Sequence, residues 1–118
     1  MENEFGTYVR ARREVLLAND REFSLRKVAQ RVGVQASYLS KVERGDQPPP
    51  SEATVLKIAA ELQEDPDVLL ALAGKVSKEL QQVILARPAL FAKLLRELKS
   101  MPDHAVLRVV REVRDGEW

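Results

Sequence analysis

Apolar residues recur along this chain at three- and four-residue intervals, and nowhere do they alternate with polar ones over a useful length. That spacing predicts helices throughout and no sheet. A first helix is expected over about Glu4 to Ala18, with Phe5, Val9, Leu16 and Leu17 on or near one face. Asn19-Asp20-Arg21-Glu22 reads as a polar connection. Ser24 is placed to cap a second helix over about Leu25 to Val32, and Gly33 follows where a positive φ is wanted. A third helix spans about Ala36 to Glu43 and stops at Gly45. Gln47-Pro48-Pro49-Pro50 must be extended, because proline lacks the amide hydrogen a helix needs.

Ser51 opens a fourth helix carrying Val55, Ile58, Ala59 and Leu62. Asp65 followed by Pro66 marks the start of a fifth, with Val68, Leu69 and Leu72, which stops near Gly74. Three further segments follow: about Ser77 to Ala86, Pro88 to about Lys99, and one beginning near Asp103. Their stripes are Leu80-Val83-Ile84, Phe91-Leu94-Leu95-Leu98 and Val106-Val109-Val110-Val113. The expected architecture is all-α: a five-helix domain over residues 1–74 and a C-terminal helical extension over 75–118.

Composition narrows the function classes. The 118 residues are 45% hydrophobic and 31% charged, an ordinary globular mixture. No apolar run approaches the ~18 residues of a membrane span, and the first ten residues do not read as a signal peptide. Cysteine is absent and His104 is the single histidine, so thiol chemistry and His-rich metal sites are excluded. A cytoplasmic setting is expected, with no cofactor and no metal. No Ser/His/Asp set can be assembled, and Gly33 and Gly45 do not form a phosphate loop, so an enzyme is not expected. His104 reads as a surface or capping residue, and Trp118 as a packing residue or part of the tail.

The net charge of +1 hides a pattern. Arg10 to Arg44 holds nine Lys/Arg against four acids, while Asp46 to Asp67 holds six acids and only Lys57. From Val68 onward the balance returns to +3. A near-neutral chain with one basic block can bind polyanions, because the local field matters more than the sum. A set of solvated helix faces would show the same counts.

The stretch LRKVAQRVGVQASYLSKVER, Leu25 to Arg44, discriminates between those readings. Two short helices joined steeply need a small residue where they cross, a positive-φ residue at the turn, and apolar residues from both helices. Ala29, Gly33, and Val28, Val32, Val34, Leu39 and Val42 meet these needs. With VGVQASYLSKVERGDQPPPS, this stretch resembles the helix-turn-helix domains of the lambda repressor/Cro type, the XRE family. The resemblance covers about Phe5 to Leu72, with a longer connection around Asn19 to Phe23 than the family's tight turn.

The resemblance implies double-stranded DNA as partner, with the second motif helix in the major groove. Gln35, Ala36, Ser37, Ser40 and Lys41 are then the base-contacting candidates. Gln35 suits adenine, Lys41 guanine and Ala36 a thymine methyl, while Ser40 can reach a base or a phosphate. Gln35 as a plain helix cap, and Lys41 as a phosphate contact or solvated lysine, stay open. Ser24, Arg26, Tyr38 and Arg44 are the phosphate-contacting candidates, with Tyr38 equally suited to packing between helices. Arg13 lies on the apolar stripe of the first helix, four residues after Val9, and Glu43 follows Val42. The resemblance implies that they pair in the interior as a structural ion pair.

The expected function is a sequence-specific transcriptional regulator, a repressor acting as a homodimer on an inverted-repeat operator. The C-terminal stripes carry more apolar surface than three short helices can cover, which points to residues 75–118 as the dimer interface. The alternative is an antitoxin-like DNA-binding partner that binds a second protein through those helices.

Overall fold

A computed structural model describes residues 4–118 as an all-α chain, with no strand among them. The helices are α1 Glu4–Leu17, α2 Leu25–Val32, α3 Ala36–Arg44, α4 Glu52–Leu62, α5 Pro66–Leu72, α6 Lys78–Ala86, α7 Pro88–Leu98 and α8 Asp103–Asp115. The polar connection after α1 contains a single 3₁₀ turn, Arg21–Phe23. Asp20 caps that turn by accepting from the Glu22 amide at 2.9 Å, and Phe23 packs partly against the core. The chain divides into two compact units, one ending at Ser77 and one running from Lys78 to Trp118. The first unit thus reaches three residues past the expected boundary at Gly74. Lys75 belongs to it physically, since its Nζ donates to the Pro50 carbonyl at 3.2 Å.

Within the first unit, one core gathers an apolar residue from every helix. Phe5 and Val9 of α1 meet Val28, Ala29 and Val32 of α2, and Leu39 and Val42 of α3. Val55, Ile58, Ala59 and Leu62 of α4 and Leu69 and Leu70 of α5 close it. Two expectations about faces need correction. On α1, Phe5 and Val9 are buried as expected and Leu16 packs partly against the core, but Leu17 does not join it, and Gly6 and Arg13 face inward as well. On α5, Val68 stays exposed while Leu70 is fully buried. This short helix presents adjacent residues 69 and 70 to the core, so position 68 is rotated away at ~100° per residue.

The caps follow from side chains that accept amide hydrogens. Ser24 accepts from Lys27, Ser51 from Thr54 and Asp65 from Asp67. Helix α4 ends on Gln63, which takes φ 57°, the left-handed conformation usually left to glycine.

The second unit is built differently. Its last two helices begin at Pro88 and just after Pro102, which stop the preceding turns. None of its residues is buried. Ile84, Phe91, Leu98, Val106 and Val109 from the three stripes are half-buried. Leu80, Val83, Leu94, Leu95, Val110 and Val113, from the same stripes, stay exposed. Trp118 folds back at the end of α8, where its Nε1 donates to the Val113 carbonyl at 3.1 Å. Gly116 permits this, because a β-carbon there would lie 2.6 Å from the indole ring. The ring nevertheless remains 88% exposed.

Candidate nucleic-acid interface

The turn between α2 and α3 sets the interface. Gly33 takes φ 88°, and its amide and that of Val34 both reach back to the Ala29 carbonyl, at 2.9 and 3.0 Å. Only a residue at ease with positive φ closes α2 in this way. Gln35 then starts α3 in an extended conformation and makes no side-chain cap bond. Its amide is therefore not committed to the helix end. A second left-handed glycine, Gly45 at φ 81°, ends α3.

At ~100° per residue, Ser37, Lys41 and Arg44 fall on one side of α3, and all three are exposed. Leu39, Val42 and Glu43 fall on the other and are buried. Ser40 sits half-buried at the edge between the two. Ala36 departs from the expected outward face: it is half-buried and packs against the core. Tyr38 also packs partly against the core. Ser24 is half-buried, and its hydroxyl accepts from the Lys27 amide at 3.3 Å. Arg26 is exposed at the start of α2.

The structure brings Arg13 and Glu43 together. Arg13 Nε and Nη2 donate to the two carboxylate oxygens at 2.8 and 2.9 Å, and Nη1 donates to the Phe23 carbonyl at 3.2 Å. The side chains are 8% and 4% exposed, so this fork-on-fork pair works in a poorly hydrated place. The bond to Glu43 holds the Arg13 proton more tightly than usual, against the opposing effect of burial. Its mechanical effect is to hold α3 against α1.

Sequence reasoning missed the neighbour of this pair. Gly6 lies seven residues before Arg13 on the same face of α1, and a β-carbon there would stand 2.2 Å from the Val42 carbonyl oxygen. The α1 backbone passes so close to α3 that no side chain fits between them. A glycine inside a strong helical pattern was the available signal. Also unread was a tie from α1 to the end of α4. Glu64 accepts from the Tyr8 hydroxyl at 3.0 Å and pairs with Arg12 at 3.1 Å. That bond raises the Tyr8 pKa, with burial adding to it.

The basic block is less open to an anion than its count implies. Six of its nine cations carry intramolecular ion pairs: Arg10, Arg12, Arg13, Lys27, Arg31 and Arg44. Arg21, Arg26 and Lys41 have no such pair among the described residues. Arg31 also lies 5.6 Å from the centre of the Phe23 ring.

Among the described residues, no group of three or more His, Asp or Glu side chains is arranged to hold a metal ion. No described helix is long and apolar enough to cross a membrane. No curated protein and no solved structure matches the chain. The family model of a helix-turn-helix domain does match, over residues 4–72, the stretch that contains α1 to α5 and the exposed face of α3. The match takes in more than half of the chain, which therefore belongs to this helix-turn-helix family of DNA-binding domains, of the XRE/Cro-like kind.

Proposed function

We propose that the protein is a transcriptional regulator that reads duplex DNA with the exposed face of α3 and acts as a homodimeric repressor on an inverted-repeat operator. The observation that carries this reading is the state of that face. Gln35, Ser37 and Lys41 are exposed, and their side chains make no hydrogen bond or ion pair among the described residues. Side chains that stabilise nothing within the fold are available for base edges. Ser24, Arg26, Tyr38 and Arg44 supply the phosphate contacts in this reading, and Ala36 and Ser40 flank the base-reading side chains. Occupation of promoter DNA by such a dimer is the simplest route to repression.

Selection from random duplexes tests the reading. Lys41→Ala and Gln35→Ala should each change the selected motif, at about 1–3 kcal/mol per lost base contact. Arg44→Ala should weaken all sequences alike and leave the motif as it was. A motif unchanged in both of the first two variants would mean that another surface reads the DNA.

The homodimer rests on the second unit. Residues 78–118 bury no side chain, yet ten of their aliphatic and methionine side chains, including Leu90, Leu95 and Val113, are each at least 37% exposed. Apolar side chains left open in this number from α6 to α8 are what a protein interface covers. A second copy related by a twofold axis would cover them. Sedimentation of the full chain at micromolar concentration should show a dimer of the 13.3 kDa protomer. Leu95→Glu with Val110→Glu should dissociate it. A wild-type monomer removes the homodimer, and a second, different chain copurifying in equal amount would select the antitoxin-like alternative.

A further inference from the structure

We propose that Arg10 joins Arg44 and Ser40 in a cleft that grips a DNA phosphate beside the reading face of α3, and that Glu14 and Asp46 act as brakes on this grip. The inference rests on the DNA-binding reading and extends it to a residue and a form of regulation outside that reading. Two adjoining grooves run between α1 and the outer edge of α3, and both are lined by Arg10, Glu43 and Arg44. Ser40 opens into one and Glu14 into the other.

The charge within the cleft favours an anion. Glu43 is its buried acid, but both carboxylate oxygens are taken by Arg13, which neutralises it. Arg13 lines the same groove as Ser40, but it is buried, its charge is matched by Glu43, and each of its three guanidinium nitrogens already donates one bond, the third to the Phe23 carbonyl. Arg10 and Arg44 differ in this respect. Arg10 bonds Glu14 at 3.0 Å and Arg44 bonds Asp46 at 3.1 Å, each through Nε alone. Their terminal guanidinium nitrogens make no bond among the described residues. A phosphate can therefore approach the open edge of both forks, which suit its geometry.

The two pairs are also weak. The Arg10 and Glu14 side chains are 55% and 52% exposed, and those of Arg44 and Asp46 are 53% and 61% exposed. Exposed pairs of this kind contribute little and yield to a better acceptor. A doubly coordinated phosphate in a cleft is such an acceptor. Glu14 and Asp46 thus hold the two guanidinium groups in place when DNA is absent and compete for them when it is present. Affinity is set below its maximum, and removing either carboxylate should raise it.

The test measures binding of the full chain to short duplexes of random sequence, across a range of salt, so that phosphate contacts dominate. Arg10→Gln should weaken binding roughly fivefold and reduce the log–log salt slope by about 0.9, one phosphate's share. Glu14→Gln should tighten binding roughly two- to threefold. In the Arg10→Gln background, that gain should vanish, which separates competition for Arg10 from a general loss of negative charge. Melting curves should match wild type, because both side chains are exposed. An unchanged affinity and slope in Arg10→Gln overturns the proposal while leaving the DNA-binding reading intact. A Glu14→Gln gain that survives without Arg10 overturns the brake. Absence of wild-type binding to any duplex overturns the DNA-binding reading and the proposal together.

Discussion

Replacing Glu43 with leucine is expected to destabilise the protein by about 3–5 kcal/mol, because it strands the Arg13 guanidinium in the core without its partner. Natural domains hold only about 5–15 kcal/mol in total, so this single change removes a large share of the margin. Arg13→Leu should cost a similar amount by leaving the carboxylate unpaired. The double replacement should recover part of the loss, since two leucines remove both desolvated charges at once. Urea denaturation of the four proteins measures the cycle. Two single variants as stable as wild type would show the pair to be solvated, contrary to side-chain exposures of 8% and 4%. The sign of the pH effect follows from Arg13. Its pKa is raised in the fold, so its contribution is complete below the ordinary arginine range and fades only above that range. Arg13 should therefore add no slope to stability measured near neutral pH.

Gly6→Ala is expected to act against helix propensity. Alanine is the better helix former by about 1 kcal/mol, and in an exposed helix the change would stabilise. Here the added carbon would stand 2.2 Å from the Val42 carbonyl oxygen and 2.9 Å from that of Glu43. Both are backbone atoms of α3, so no rotamer relieves the contact and the helices must separate. A net loss of about 2–3 kcal/mol is expected, in the range of other overpacked cores. Because α3 carries the reading face, DNA affinity should fall along with the melting temperature. A Gly6→Ala protein that melts at or above the wild-type temperature would remove this contact from the account of the fold.

What could be read in advance depended on how far apart the interacting residues lie along the chain. The α2–α3 turn was legible because its requirements fall within ten residues: Ala29 at the crossing, Gly33 at positive φ, and valines on both sides. The caps at Ser24, Ser51 and Asp65 were legible for the same reason, since each acts on an amide two or three residues away. The Arg13–Glu43 pair spans thirty residues and came only through family resemblance. Gly6 answers to a carbonyl thirty-six residues on; a glycine inside a helical pattern marks a close approach, but nothing local says to what. The ties from Tyr8 and Arg12 to Glu64, and from Arg31 to Glu61, are equally distant. They also explain why the basic block presents fewer open cations than its residue count implies. On α3, Ser37 and Lys41 fall on the outer side of the helix wheel, whereas Ala36 stands seven residues before the buried Glu43, about 20° from it, and so faces the core rather than the duplex.

Trp118 gives the chain a built-in optical division of labour. It is the one tryptophan, it sits beyond α8 at the end of the second unit, and its indole ring is largely hydrated. Red-shifted emission should be its resting signal. During a thermal ramp its emission maximum should then barely move, and any change in intensity reports the loss of the Nε1 bond to the Val113 carbonyl at the end of α8. Far-ultraviolet dichroism, which sums the eight described helices, will register both units. Where the two curves part, the chain is melting in stages, and a single transition temperature no longer describes it.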